Sequence, residues 1–114
     1  MKKLRYSRDY YEKLQALRKY LDIRFGDSVR KEVLAKINKQ VHSLRQHERS
    51  GISVRDMFGI DCEYYYIYIA KNIIFYRFDD EYIYIINMYN EREDYIQKMF
   101  GSSYRLQEQS STFT

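Results

Sequence analysis

Apolar residues along this chain follow two different periods, and the change between them divides it in half. Tyr10, Leu14, Leu17, Leu21 and Phe25 recur three or four positions apart, which gathers side chains on one face of a helix. Val29, Val33, Ile37, Val41 and Leu44 repeat the pattern. Ser7 stands where the first helix needs an N-cap, and Gly26 where its terminal glycine belongs. Asp27 and Ser28 are N-cap candidates for the second helix. The two helices, over residues 10–25 and 28–46, are therefore predicted to fold back on each other as an antiparallel hairpin.

After the polar stretch 48–53, where Gly51 is a candidate hinge, the period falls to two. Residues 54–60 read as a strand broken near Gly59. Residues 63–70 put Tyr64, Tyr66 and Tyr68 on one face and Tyr65, Ile67 and Ile69 on the other. Residues 73–78 and 82–89 continue as strands, with turns at Lys71-Asn72 and Asp79-Asp80-Glu81. A short strand at 3–6 precedes them all. Asn90, with Glu93 three positions on, forms a capping-box variant. It predicts a last helix over 91–100, apolar at Ile96, Met99 and Phe100 and closed by Gly101. The expected fold class is α+β: a helical hairpin packed on a small antiparallel β-sheet, with a short C-terminal helix. One domain spans 1–101. Residues 102–114, rich in Ser, Thr and Gln, are expected to form a polar, flexible tail.

Charge changes this picture more than composition does. The net charge is +4, but residues 1–49 carry 14 Lys+Arg against 6 Asp+Glu, a balance of +8. Residues 50–114 carry 6 against 10, a balance of −4. The basic half suits a polyanion or an acidic partner, or else two solvated helix faces. No apolar run approaches the roughly 20 residues that span a membrane. The charged start, Met1 to Arg5, has no apolar segment after it and does not read as a secretory signal. The single cysteine, Cys62, excludes an internal disulfide and suits a reducing cytoplasm.

Few residues offer catalytic chemistry. His42 and His47 lie five apart, which does not align them on one helix face, and there is no paired-cysteine motif, so no metal site is expected. No glycine-rich phosphate loop is present, and no small-molecule cofactor is expected. Fourteen Tyr and six Phe could stack bases on a sheet, but Tyr is also a favoured strand residue with one face to pack. Arg55, Arg77 and Arg92 are the candidate target-binding cations, since guanidinium matches phosphate and carboxylate geometry. Local pairing is the competing role: Arg77 with Asp79, Glu63 or Glu81, and Arg92 with neighbouring acids.

The stretch 73–81, Ile-Ile-Phe-Tyr-Arg-Phe-Asp-Asp-Glu, followed by strand 82–89 and Asn-Glu-Arg-Glu-Asp-Tyr at 90–95, resembles the RelE/ParE superfamily of bacterial toxins. That family shows R-I-F-Y-R-V-D-x-D and then G-R-R-D-Y before its last helix. Tyr20 to Gly26 is similar to its Y-I-x-x-x-F-G. The resemblance covers residues 3–101 and implies the toxin half of a type II toxin–antitoxin pair of the plasmid-stabilization kind. It implies a cognate acidic antitoxin as partner and either DNA gyrase or the ribosome as target, in the cytoplasm. An antitoxin segment is expected along the helices, against Leu14, Leu17, Arg18, Leu21, Val33, Lys36 and Ile37. RelE-like members cut mRNA on the ribosome, and by resemblance only Arg92, with Tyr95 as a loose substitute, would carry that chemistry. Residues 63–70 hold no Lys or Arg where RelE-like members place catalytic lysines, and Ile73 replaces their strand-leading Arg. The departures favour the ParE-like branch, which poisons gyrase without nuclease chemistry. An inactive toxin fold kept as a binding module is the third reading.

Overall fold

Ser7 ties the first strand, the first helix and the last strand together. In the computed structural model, which describes residues 1–101, β1 (Lys3–Tyr6) leads directly into α1 (Arg8–Phe25). The Ser7 hydroxyl oxygen accepts from the Tyr10 amide at 3.0 Å, satisfying one of the orphan donors of the helix. The same hydroxyl donates to the Ile86 carbonyl. The Ser7 amide donates to the Ile85 carbonyl at 2.9 Å. The expected flexible tail, 102–114, lies outside the described residues.

α2 (Asp27–Ser43) follows α1 after one residue, Gly26, whose φ of +89° suits glycine and turns the chain back on itself. Its amide reaches the carbonyls of Leu21 and Asp22. Neither Asp27 nor Ser28 is the N-cap. Gly26 takes that place with no side chain to offer, and Asp27 enters the first turn, where it pairs with Arg30 and Lys31. Arg30 also bonds Asp22 at 2.9 Å, closing the hairpin from outside.

The sheet runs β1-β5-β4-β3-β2, with β2 (Ile52–Ser53), β3 (Tyr65–Ile69), β4 (Asn72–Phe78) and β5 (Tyr82–Asn90). β2 to β5 form the expected antiparallel meander, but β1 pairs parallel with β5, so the sheet is mixed. A long hairpin separates β1 from the meander, and its return path allows the parallel register. A bulge between Phe75 and Tyr76 leaves Ile86 without a partner on β4, and Ser7 fastens to that residue.

Four local expectations are corrected. Residues 54–58 are helix α3 (Val54–Phe58), not strand. Ser53 caps it by accepting from the Asp56 amide, and Gly59 ends it in the left-handed region. A five-residue segment with only Val54, Met57 and Phe58 apolar cannot declare its period without these neighbours. The last helix, α4, is only Tyr95–Phe100. The Asn90 and Glu93 side chains do bond back, to the Arg92 and Asn90 amides, but they close a turn ahead of the helix. The β3–β4 turn sits at Ala70 and Lys71, with φ of 50° and 65°, the positive values a two-residue hairpin needs. Asn72 is instead a buried strand residue whose amide steadies the Ala70 carbonyl at 2.8 Å. Gly51 is no hinge: a Cβ there would lie 2.5 Å from the Tyr76 hydroxyl and 2.7 Å from the Tyr66 carbonyl.

Both faces of the sheet carry packed layers, the back over only part of its area. On the front, α1 and α2 bury Tyr10, Ile37, Val41 and Leu44 against Ile67, Ile74, Tyr76, Ile83, Ile85 and Met88. On the back, α3, α4 and the segment between α3 and β3 bury Val54, Ile60 and Ile96 against Tyr66, Ile73, Phe75 and Tyr89. Tyr76 is fully buried, and its hydroxyl donates to the Glu48 carbonyl at 2.8 Å while accepting the Gly51 amide at 3.0 Å. Burial pushes its pKa up to about 12. Tyr76→Phe strands both backbone groups and should cost about 1–3 kcal/mol, seen as a lower urea midpoint at unchanged m. An unchanged midpoint would refute this bridging role. Because the unfolded phenol ionises near 10.0, the contribution of Tyr76 is whole below that pH. It falls as pH rises towards about 12. Alkaline melts should show midpoints declining across that window and less steeply in Tyr76→Phe.

Candidate functional site

The seven helix residues expected to meet a partner do not form one surface. Leu14, Arg18 and Ile37 line a hollow of about 510 Å³ between the helices, with Tyr6, Tyr11, Leu34, Ala35 and Asn38 around them. Ile37 is buried and forms part of its floor. Leu17, Leu21 and Val33 line a second hollow of about 530 Å³, at the closed end of the hairpin. Lys36 lines neither and pairs with Glu32 at 3.6 Å. Phe25 and Val29, read as core stripe, are exposed at this end, and Tyr20 meets Phe25 edge-on. This end of the hairpin faces the Ala70–Asn72 turn and Asn90–Arg92 across the hollow, which leaves part of its apolar stripe open.

Arg92 belongs to the second hollow, together with Lys71, Asn72, Asn90 and Glu91. The Asn90–Glu93 turn places it: the Arg92 amide donates to Asn90 Oδ1 at 3.0 Å, and Glu93 reaches back to the Asn90 amide at 2.7 Å. The Glu91 amide donates to the Lys71 carbonyl at 2.9 Å, joining this turn to the strained Ala70-Lys71 turn. The Tyr68 hydroxyl donates to Glu91 at 2.6 Å, and that bond raises the Tyr68 pKa. Among the described residues, Arg92 and Lys71 have no ion-pair partner, so local pairing does not account for Arg92.

Tyr95 does not join Arg92. It opens α4 and turns into the back core, its ring 6.4 Å from Phe75. Arg92 lines the hollow on the hairpin side. The three candidate arginines are also dispersed. Arg55, on α3, pairs with Asp61 at 2.9 Å and donates to the Cys62 carbonyl, fastening the segment before β3. Arg77 lies opposite Tyr84 on β5, its guanidinium 4.2 Å from the ring centroid, and no carboxylate of the described residues pairs with it. Arg92 lies eight positions beyond Tyr84 along β5 and its turn, roughly 26 Å if fully extended. Asp79, a predicted partner of Arg77, is engaged elsewhere. Its carboxylate is held below the usual range by the Tyr84 hydroxyl at 2.7 Å and by the amides of Tyr82 and Glu81.

Sequence reasoning missed a cluster beside the second hollow. Lys13 lies 3.6 Å from the centroid of the Tyr89 ring, and burial lowers its pKa. Glu93 pairs with Lys98 at 2.8 Å, a bond that lowers the carboxyl pKa. Lys13, Tyr89 and Glu93 share a hollow of about 380 Å³ with Leu17, Tyr20 and Asn72. Helical spacing could have shown that Lys13 and Leu17 share a face, but not that β5 would lie beneath them. Among the described residues no group of three or more His, Cys, Asp or Glu is placed to hold a metal ion. No described helix is long and apolar enough to cross a membrane.

Residues 4–95 match the family model for the ParE toxin of the type II toxin–antitoxin system parDE. No curated protein sequence matches the chain. A solved structure described as the chromosomal ParDE TA system from P. aeruginosa shares the fold, with a TM-score of 0.65 at 16% identity. The match covers 79% of this chain and 96% of that one.

Since Arg92 touches nothing that fastens the fold, Arg92→Ala should change the unfolding free energy by less than about 0.5 kcal/mol. Glu93→Gln, which weakens the turn and the Lys98 pair, should cost more. Urea melts of the two variants check this, and equal losses would contradict the assignment.

Proposed function

The chain belongs to the ParE toxin family of type II toxin–antitoxin systems, and on that footing we propose that it arrests growth through DNA gyrase or another protein target. A cognate acidic antitoxin holds it inactive in the cytoplasm. The observation that carries the choice of mechanism is the separation of Arg92 from Tyr95: one lines an open hollow, the other packs in the back core. Cleavage of RNA by 2′-hydroxyl attack needs a proton acceptor beside a cation at the phosphate, and losing one such group costs about 10²-fold or more. Neither neighbouring carboxylate is free for that work. Glu91 is bonded to Tyr68, and Glu93 to Lys98 and the Asn90 amide. Arg92, with Lys71, acts instead as a binding cation for the target.

The antitoxin segment lies in the hollow between the helices, with Leu14 and Ile37 at its floor and Arg18 at its rim. An amphipathic acidic helix or strand fits this site: apolar anchors enter, and carboxylates face the basic helices. Binding the folded toxin raises its apparent stability by mass action. Leu17, Leu21 and Val33 extend the contact only if the segment rounds the hairpin end. Ribosome-dependent mRNA cleavage remains the second reading, because Lys71, Glu91 and Arg92 share one hollow.

Expression of the chain alone should stop growth, and co-expression with the antitoxin should restore it; normal growth with folded protein present would refute the toxin reading. Ala35 is exposed and lines the hollow without entering the core. Ala35→Arg should therefore keep toxicity while weakening antitoxin affinity by about tenfold or more, so that rescue fails; unimpaired rescue would place the interface elsewhere. Primer extension on a translated message should show no new ends after induction. Discrete cuts at ribosomal A-site codons, lost in Arg92→Ala, would establish the nuclease reading instead.

A further inference from the structure

The back of the sheet is only half covered. α3 and α4 lie over Ile73, Phe75 and Tyr89, whereas on the part bearing Tyr82 and Tyr84 two arginines stack on the rings, and Lys3 stands opposite Tyr82 by register. Arg5 on β1, Tyr84 on β5 and Arg77 on β4 form one row across three strands, their side chains on the same face by register. The Arg5 guanidinium lies 4.3 Å from the Tyr82 ring centroid and donates to its hydroxyl at 3.2 Å. The Arg77 guanidinium lies 4.2 Å from the Tyr84 centroid. The two rings are 5.7 Å apart, and Tyr84 is pinned through its hydroxyl to Asp79. Both cations thus rest on aromatic rings, the one under Arg77 held by Asp79, and neither has a carboxylate at ion-pair distance among the described residues.

Stacking restricts a guanidinium to a plane and leaves N–H groups at its edge for a bidentate acceptor. We propose that this face docks an acidic protein segment, one carboxylate to each guanidinium. Arg5 and Arg77 lie on the two strands flanking β5, roughly 9.5–10 Å apart at the backbone, a span that Glu side chains at i and i+2 of an extended strand, about 6.5–7 Å apart, reach by splaying. One observation favours a peptide over a nucleic acid. Guanidinium already covers a face of each ring, so neither is a free platform for bases. The surface is distinct from the helical hollow and from Arg92, and it does not depend on which target the toxin has.

The test uses the full isotope-labelled chain, without antitoxin, and follows the Arg side-chain Nε–H resonances by NMR. The probes are a Ser-Glu-Thr-Glu-Ser peptide, its Gln-for-Glu counterpart and a short oligothymidylate. The acidic peptide should move the Arg5 and Arg77 resonances and leave that of Arg92 in place, and the Gln peptide should move none. Arg5→Gln and Arg77→Gln should each weaken binding by about tenfold. Arg77→Lys, which keeps the charge but not the fork, should weaken it less while preserving the spectrum of the folded chain. Tighter binding of the oligothymidylate would replace the acidic segment with nucleic acid. Contacts from residues 102–114 to the two guanidiniums in the free chain would make the chain its own occupant. Absence of any shift would end the proposal, whether or not the chain proves toxic.

Discussion

Strand β4 sets the terms for everything around it. From Asn72 to Tyr76 every residue is buried, although alternate side chains point to opposite faces. A strand buried on both faces needs two layers of cover, and the chain supplies them from separate segments. The helical hairpin covers Ile74 and Tyr76 from the front, and α3 and α4 cover Ile73 and Phe75 from behind. Ser7 matters in the same context. By capping α1 while holding the bulged Ile86, it fixes where the hairpin sits over the strands.

The many tyrosines divide according to this layering. Tyr10 and Tyr76 are core residues on the hairpin side, and burial raises the pKa of both. Tyr64, Tyr66, Tyr89 and Tyr95 build the back core with Phe75 and Phe100. Tyr82 and Tyr84 are left on the open part of the back, where they carry arginines rather than helices. Tyr suits all three settings because its ring buries area while its hydroxyl still finds a partner. Composition alone therefore could not separate base-stacking surfaces from packing.

The cations sort in the same way. The helices of the basic half flank the hollow between them, which Arg18 lines beside Leu14 and Ile37. Arg55 is consumed by the Asp61 pair, whereas Arg77 and Arg92 stand at opposite ends of the sheet without such partners. The Ala70-Lys71 turn beside Arg92 takes the positive φ values that its two-residue hairpin requires.

Much of this was legible in the residues themselves. The helical stripes, the period-two meander, the Gly26 reversal and the family likeness at 73–95 all depend on near neighbours, and a linear pattern records those directly. The helix at Val54–Phe58 and the late start of α4 were not legible, because segments of five or six residues take their conformation from what they pack against. The rest belongs to tertiary structure alone. Parallel pairing of β1 with β5 brings Arg5 beside Tyr84 across 79 residues of chain, and α1 lies over β5 so that Lys13 reaches Tyr89. No periodicity encodes such contacts, since they arise only when the sheet needs both faces covered and distant segments are the ones that can cover them.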